Sequence, residues 1–295
     1  MPDVIRGLWV AAATPLDATG AVDRDALVRH CQGLIAGGCD GVALFTAAGE
    51  GPSFAAAERL AAVEALLQAG IASARIALGT GCPAIPDTVA LTRGALALGL
   101  THALILPPYY FRDATAEGIE DAFAAIIDGV ASDRLRATLC HAPQDCGVKV
   151  PAAALGRLRA RYGRLVAGVV DSTGDIAGFQ AFRHAAPACG GVVGAEVEIA
   201  RALALGGSGA ISAMANVVPG LVRGMFDGPA GEVAMRKACD LLAGRPFIPA
   251  LKSVLAARCG DGAWRAVRPP LRPADAAAGA RIAAALTVIE ARRAA

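Results

Sequence analysis

Aromatic residues make up only 4% of the 295-residue chain, and lysine occurs three times, as Lys149, Lys237 and Lys252. Chemistry that needs a side-chain primary amine therefore has three places at most to reside. Long hydrophobic runs are missing too: no stretch approaches the roughly 18 unbroken apolar residues of a membrane span, which excludes a spanning helix and leaves no membrane partner. Met1 to Gly7 carries charges and lacks the apolar centre of a signal peptide, so the expected compartment is the cytoplasm. A net charge of +2 with scattered arginines leaves no footprint for nucleic acid. The eight cysteines include no close-spaced pair of the kind that holds zinc or exchanges disulfides. Most sit in apolar surroundings and read as reduced, buried small hydrophobes.

What the chain does have is aliphatic residues. It is 55% hydrophobic, mostly Ala, Val, Leu and Ile, the composition of parallel strands packed under alanine-rich helices. Eight short apolar runs, starting at Gly7, Gly41, Arg75, His102, Arg136, Leu165, Gly190 and Ser208, are each followed by a turn signal and then by helical periodicity. Arg24 to Ala36, Ser53 to Ala69, Pro86 to Leu98 and Ala116 to Val130 are examples of the helical segments. Eight β-then-α units predict an α/β fold, a closed (β/α)8 TIM barrel. After the eighth strand only helical patterning remains, at Val217 to Asp227, Gly231 to Ala243, Ile248 to Ala257 and Ala274 to Arg293. The chain is therefore divided into a barrel over residues 1–225 and a C-terminal helical extension over 226–295, with "GRPF" and "RPPLRPAD" as breaks.

In such a barrel the chemistry sits at the C-terminal strand ends. Those ends read Thr14-Pro15, "TAAGEG" at Thr46 to Gly51, "PPYYF" at Pro107 to Phe111, "LCHAP" at Leu139 to Pro143, "GVVDSTGD" at Gly168 to Asp175, "GAE" at Gly194 to Glu196 and "GAISAMANVVP" at Gly209 to Pro219. Their order and spacing resemble the dihydrodipicolinate synthase / N-acetylneuraminate lyase family, over nearly the whole chain. The resemblance implies a pyruvate-type aldolase or lyase that holds a 2-oxo acid as a Schiff base on a sixth-strand lysine, because an iminium is an electron sink for the adjacent carbanion.

The family pattern there is G-x-K-x-[SAT]-[ST]-G, and the matching run is "GVVDSTG", with Val170 at the lysine position. Of the three lysines, Lys237 and Lys252 fall in the helical extension and are expected to be solvated or helix-packing. Lys149, in "CGVKVP", lies past the fifth strand and is not expected to replace the imine lysine. The family's fifth-strand tyrosine, a proton shuttle, is matched by Cys140, followed by His141. Strand alternation puts Cys140 on the tyrosine's face and His141 on the opposite one. Cys140 is either a nucleophile or weak acid, or a small pore-filling residue, and His141 reads as a packing or hydrogen-bonding group. The family's carboxylate-binding Gly-Thr-Thr-Gly-Glu becomes Thr46-Ala47-Ala48-Gly49-Glu50. The Ala47 and Ala48 amides remain for a carboxylate, but the relay hydroxyl is lost. Asp145 takes the place of a synthase arginine, which argues against an aspartate-semialdehyde-like second substrate.

Tyr109-Tyr110 survives; in the family the second tyrosine reaches across a tight dimer interface into the neighbouring site. Gly194 and Ile211 match small and apolar pocket positions, and also suit plain barrel packing. The resulting expectation is a lyase-like enzyme for a small 2-oxo or hydroxy acid, working without Schiff-base chemistry. Tyr110 and Cys140 are its candidate catalytic residues, and Thr46, Ala47, Ala48, Gly194 and Ile211 its candidate substrate-binding ones. The pore mouth further offers Glu50, His141, Asp145, Asp171, Ser172, Glu196 and Ser212 for acid–base work. No cofactor and no metal are expected, since strand parity does not gather Asp171, Glu196 and His141. The alternative is a catalytically silent relative that binds a ligand or serves as a partner subunit. Under both readings the ligand is a small carboxylate or oxo acid and the assembly a homo-oligomer, a dimer of dimers.

Overall fold

The structure, a computed structural model, describes residues 3–294. Eight parallel strands close into a barrel in the order in which they occur: β1 (Gly7–Ala11), β2 (Gly41–Leu44), β3 (Ile76–Gly79), β4 (His102–Ile105), β5 (Arg136–His141), β6 (Val166–Asp171), β7 (Gly190–Val193) and β8 (Gly209–Ser212). Every residue of β2, β3, β4, β6, β7 and β8 is buried, because helices cover the outside while side chains fill the lumen. That is why these strands read in the sequence as short continuous apolar runs. Closure comes from the β1–β8 pairing, Gly7 opposite Gly209 and Trp9 opposite Ile211.

The helices around the barrel are α1 (Arg24–Ala36), α2 (Ala56–Gln68), α3 (Ile85–Ala97), α4 (Ala116–Val130), α5 (Pro143–Cys146), α6 (Ala152–Tyr162), α7 (Ile176–Ala185), α8 (Ile199–Ala204) and α9 (Pro219–Arg223). Local signals set several starts. The Asp23 carboxylate accepts from the Ala26 amide at 2.9 Å and the Thr115 hydroxyl from the Gly118 amide at 3.1 Å, so α1 and α4 span the residues their periodicity predicts. The helix expected from Ser53 begins three residues later, because Gly51–Ser53 forms a 3-10 turn and Phe54 is extended. Past α9 come α10 (Glu232–Asp240), α11 (Phe247–Cys259) and α12 (Ala276–Ala294).

These last helices join the barrel's own core. One hydrophobic cluster runs from Trp9, Val10, Val170 and Ile211 to Met235, Leu251, Val254 and Leu286. Leu251 and Leu286 have no exposed surface. Burying each contributes about 1.5–3 kcal/mol, enough to seat the extension firmly. A polar tie adds to it: the Lys252 ammonium on α11 donates to the Thr14 carbonyl at 2.8 Å and to Glu50 Oε1 at 2.7 Å. Lys252, expected as a solvated or helix-packing residue, thus forms a fully buried ion pair with the loop after β2. Among the described residues no helix is long and apolar enough to cross a membrane.

Candidate active site at the barrel mouth

A cavity of about 680 Å³ opens at the C-terminal ends of the strands, within the range of sites that enclose small-molecule ligands. The barrel supplies most of its wall. Pro246, Phe247, Ile248 and Pro249, from the start of α11, and Leu271 supply the rest. The extension therefore completes the site.

Val170 and Cys140 sit opposite each other in the β5–β6 register, and both line the cavity. His141 and Asp171, the next register pair, turn to the other side of the sheet. His141 packs against Phe182 of α7 with ring centres 5.2 Å apart, and its Nδ1 accepts the Val150 amide at 3.0 Å. Nδ1 is thereby an acceptor, which leaves the proton of the neutral ring on Nε2. Burial, opposed by nearby Asp171, holds His141 below the ordinary histidine range. Asp171 Oδ1 accepts from the Thr173 amide at 2.9 Å and hydroxyl at 2.7 Å, which fixes the turn after β6. Asp171 and His141 therefore do not share a centre with Glu196, which faces the cavity.

The loop after β2 is tightly wound. Phe45 and Glu50 both take left-handed backbone, φ 53° and 56°, and a Cβ on Gly51 would lie 2.1 Å from the Phe45 carbonyl oxygen. Glu50 is held there by Lys252 and, through Oε2, by the Arg268 amide at 3.1 Å. Of the pore-mouth groups named from the sequence, Glu50 therefore belongs to the scaffold. The winding presents Thr46, Ala47 and Ala48 to the cavity, and the Ala47 and Ala48 amides donate no hydrogen bond within the described residues. The Thr46 hydroxyl is buried without a partner.

On the opposite side, Glu196 Oε1 accepts from the Ser212 hydroxyl at 2.9 Å and the Met214 amide at 3.0 Å, while Oε2 makes no hydrogen bond among the described residues. The short helix α5, begun by Pro143 and ended by Gly147 at φ 75°, puts Gln144, Asp145 and Cys146 on the rim. Desolvation there raises the Asp145 carboxyl above its ordinary value. Gly194 lines the cavity beside Ser172, and a Cβ at Gly194 would lie 2.3 Å from the Ser172 hydroxyl oxygen. Ile211 completes the apolar floor. Burial pushes the Cys140 thiol up to about 12, so at neutral pH it is protonated.

Tyr109 faces the cavity, whereas Tyr110 points away from it. Tyr110 is 79% and Phe111 71% exposed, their rings stacked edge to face at 5.4 Å. No lysine lines the cavity. Lys149 and Lys237 are exposed, and Lys252 is spent on Glu50. Sequence reasoning missed Arg59, a buried residue of α2 that also lines the cavity. The only local sign of it is a charge within the apolar-periodic stretch of α2.

The family model described as the dihydrodipicolinate synthetase family matches residues 4–288. A protein of Chloroflexus aurantiacus named a DapA-like lyase is 35% identical over 277 residues, 91% of either chain. A protein named 4-hydroxy-tetrahydrodipicolinate synthase 1, from Streptomyces coelicolor, is 33% identical over 276 residues, 90% of this chain and 88% of its own. The crystal structure of dihydrodipicolinate synthase from Agrobacterium tumefaciens superposes with a TM-score of 0.92 at 30% identity, covering 97% of this chain and 99% of that one. Strand order, cavity position and these matches agree: the chain belongs to the dihydrodipicolinate synthetase family.

Proposed function

We propose that the protein is a lyase-type enzyme that takes a small 2-oxo or hydroxy acid at the barrel mouth without forming a Schiff base. The observation that carries this is the cavity wall itself, where Val170 faces the ligand space and no lysine does. The ligand carboxylate is held by the Ala47 and Ala48 amides, whose N–H groups are free to donate. Gly194 and Ile211 shape the space around its carbon chain. Glu196 Oε2 and Asp145 are the groups placed to move a proton. Cys140, kept as a thiol, takes part as a weak acid and hydrogen-bond donor rather than as a thiolate nucleophile. Such catalysis polarises the substrate by hydrogen bonds instead of through an iminium.

In this reading the protein is a cytoplasmic homo-oligomer, a dimer of dimers in which Tyr110 enters the neighbouring copy's site. Its support is the exposed Tyr110–Phe111 pair, a large apolar surface in a chain with few aromatics. Incubation with pyruvate followed by borohydride, read by intact mass, tests the chemistry: no added mass is expected, and stable addition at any lysine overturns the reading. Light scattering at micromolar concentration tests the assembly, and a monodisperse species at the 29.6 kDa monomer mass contradicts it.

A further inference from the structure

Arg59 is 4% exposed and carries a full positive charge, yet among the described residues its guanidinium is bonded to carbonyl oxygens and to no carboxylate. Its Nε donates to the Phe54 carbonyl at 3.1 Å and one Nη1 hydrogen to the Gly79 carbonyl at 3.0 Å. A guanidinium has five N–H donors, so three remain. The adjacent Glu58 acts on it only through space, without a direct bond. That carboxylate is committed to the Arg268 guanidinium, at 2.5 and 3.0 Å, and to the Ala55 amide at 2.9 Å. A buried charge left without a counter-charge is costly, and this one lies on the wall of the ligand cavity.

Among the described residues it is also the only cationic side chain on that wall, whereas Asp145 and Glu196 are the two anionic ones. The charges are segregated. Arg59 is bonded at Gly79, whose Cα packs so tightly on the loop after β2 that a Cβ would lie 2.2 Å from the Phe45 carbonyl oxygen. Thr46, with its unpartnered hydroxyl, follows Phe45 directly. Asp145 and Glu196 come from the other half of the barrel, beyond β5 and β7.

We infer that Arg59 is a specificity-determining residue: it supplies the counter-charge for a ligand carboxylate at the Thr46–Ala48 corner, so that the cavity accepts monoanions with a neutral, hydrogen-bonding tail. This rests on the carboxylate ligand proposed above, but not on how that ligand reacts. A second carboxylate at the far end meets Asp145 and Glu196 and is repelled, which makes the preference one for a single charge.

Calorimetric titration with matched pairs tests the inference: pyruvate against pyruvamide, and gluconate against glucitol and glucarate. Wild type is expected to bind at least one monocarboxylate tenfold or more tightly than its neutral partner, and gluconate more tightly than glucarate. Arg59→Met is expected to abolish the preference for charge while remaining folded by circular dichroism, and Arg59→Lys to recover part of it. A residue that only brackets the Phe54 and Gly79 carbonyls would not alter the ratio of charged to neutral ligand. Absence of a charge preference in both wild-type pairs, or its retention in Arg59→Met, overturns the inference. If borohydride traps a lysine adduct while the Arg59 dependence holds, the non-imine reading fails and the role of Arg59 stands.

Discussion

Replacing Lys252 with methionine removes one partner of an ion pair in which neither side chain has any exposed surface. Two bonds vanish, to Glu50 Oε1 at 2.7 Å and to the Thr14 carbonyl at 2.8 Å. What remains is a buried Glu50 carboxylate facing only the Arg268 amide, and breaking a buried pair in this way costs about 3–5 kcal/mol. Burial holds the Lys252 ammonium below its ordinary range, against the pull of Glu50; taking two charges out of water offsets much of what their attraction contributes. The expected pattern is therefore asymmetric. Lys252→Met alone destabilises by about 4 kcal/mol, while the double change Lys252→Met, Glu50→Gln costs markedly less, because no buried charge is orphaned. Urea unfolding followed by circular dichroism measures both, with the midpoint moving and the slope constant if the transition stays two-state. Glu50 also fixes the loop that presents Ala47 and Ala48, so the single variant is expected to bind carboxylates more weakly than its loss of stability alone accounts for. A single-variant cost below about 1 kcal/mol, or a double variant no more stable than the single, would refute the reasoning.

Two further outcomes are expected. Val170→Lys gains no pyruvate-dependent turnover, since Cys140 stands where the proton shuttle would, and it loses about 3 kcal/mol of stability by placing an unpaired ammonium on the apolar wall; kinetics and urea unfolding check the two halves. His102, at the start of β4, is 1% exposed with neither ring nitrogen bonded, and burial lowers its pKa from 6.5 to about 4. As pH falls from 6.5 to 4 the unfolded chain binds a proton that the native state refuses, so stability drops by about 3 kcal/mol across that window. Above 6.5 His102 contributes no slope, and His102→Phe is expected to flatten the acid side of the stability profile.

Much of the fold was legible because its signals are local. Parallel strands buried on both faces must be apolar throughout, and α1 and α4 announce their starts through Asp23 and Thr115. Strand alternation likewise separates Cys140 from His141, and the structure sets the first on the cavity and the second against Phe182. What the sequence left hidden depends on distant contacts. Lys252 reaches Glu50 across 202 positions, and nothing near either residue marks the pair. Pro246 to Pro249 join the cavity only because α11 folds back over the strand ends, and Arg59 reaches it only because α2 leans on β3 at Gly79. Helix α5 was missed for a simpler reason: a four-residue helix that opens on a proline and stops at a glycine reads as a turn.

A crystal structure of the pyruvate complex tests the central claim most directly. The account predicts pyruvate as a free ketone at the barrel mouth, its carboxylate on the Ala47 and Ala48 amides and no bond from its C2 to any lysine nitrogen. Continuous density from C2 to a lysine, or pyruvate bound elsewhere with the mouth empty, would contradict it.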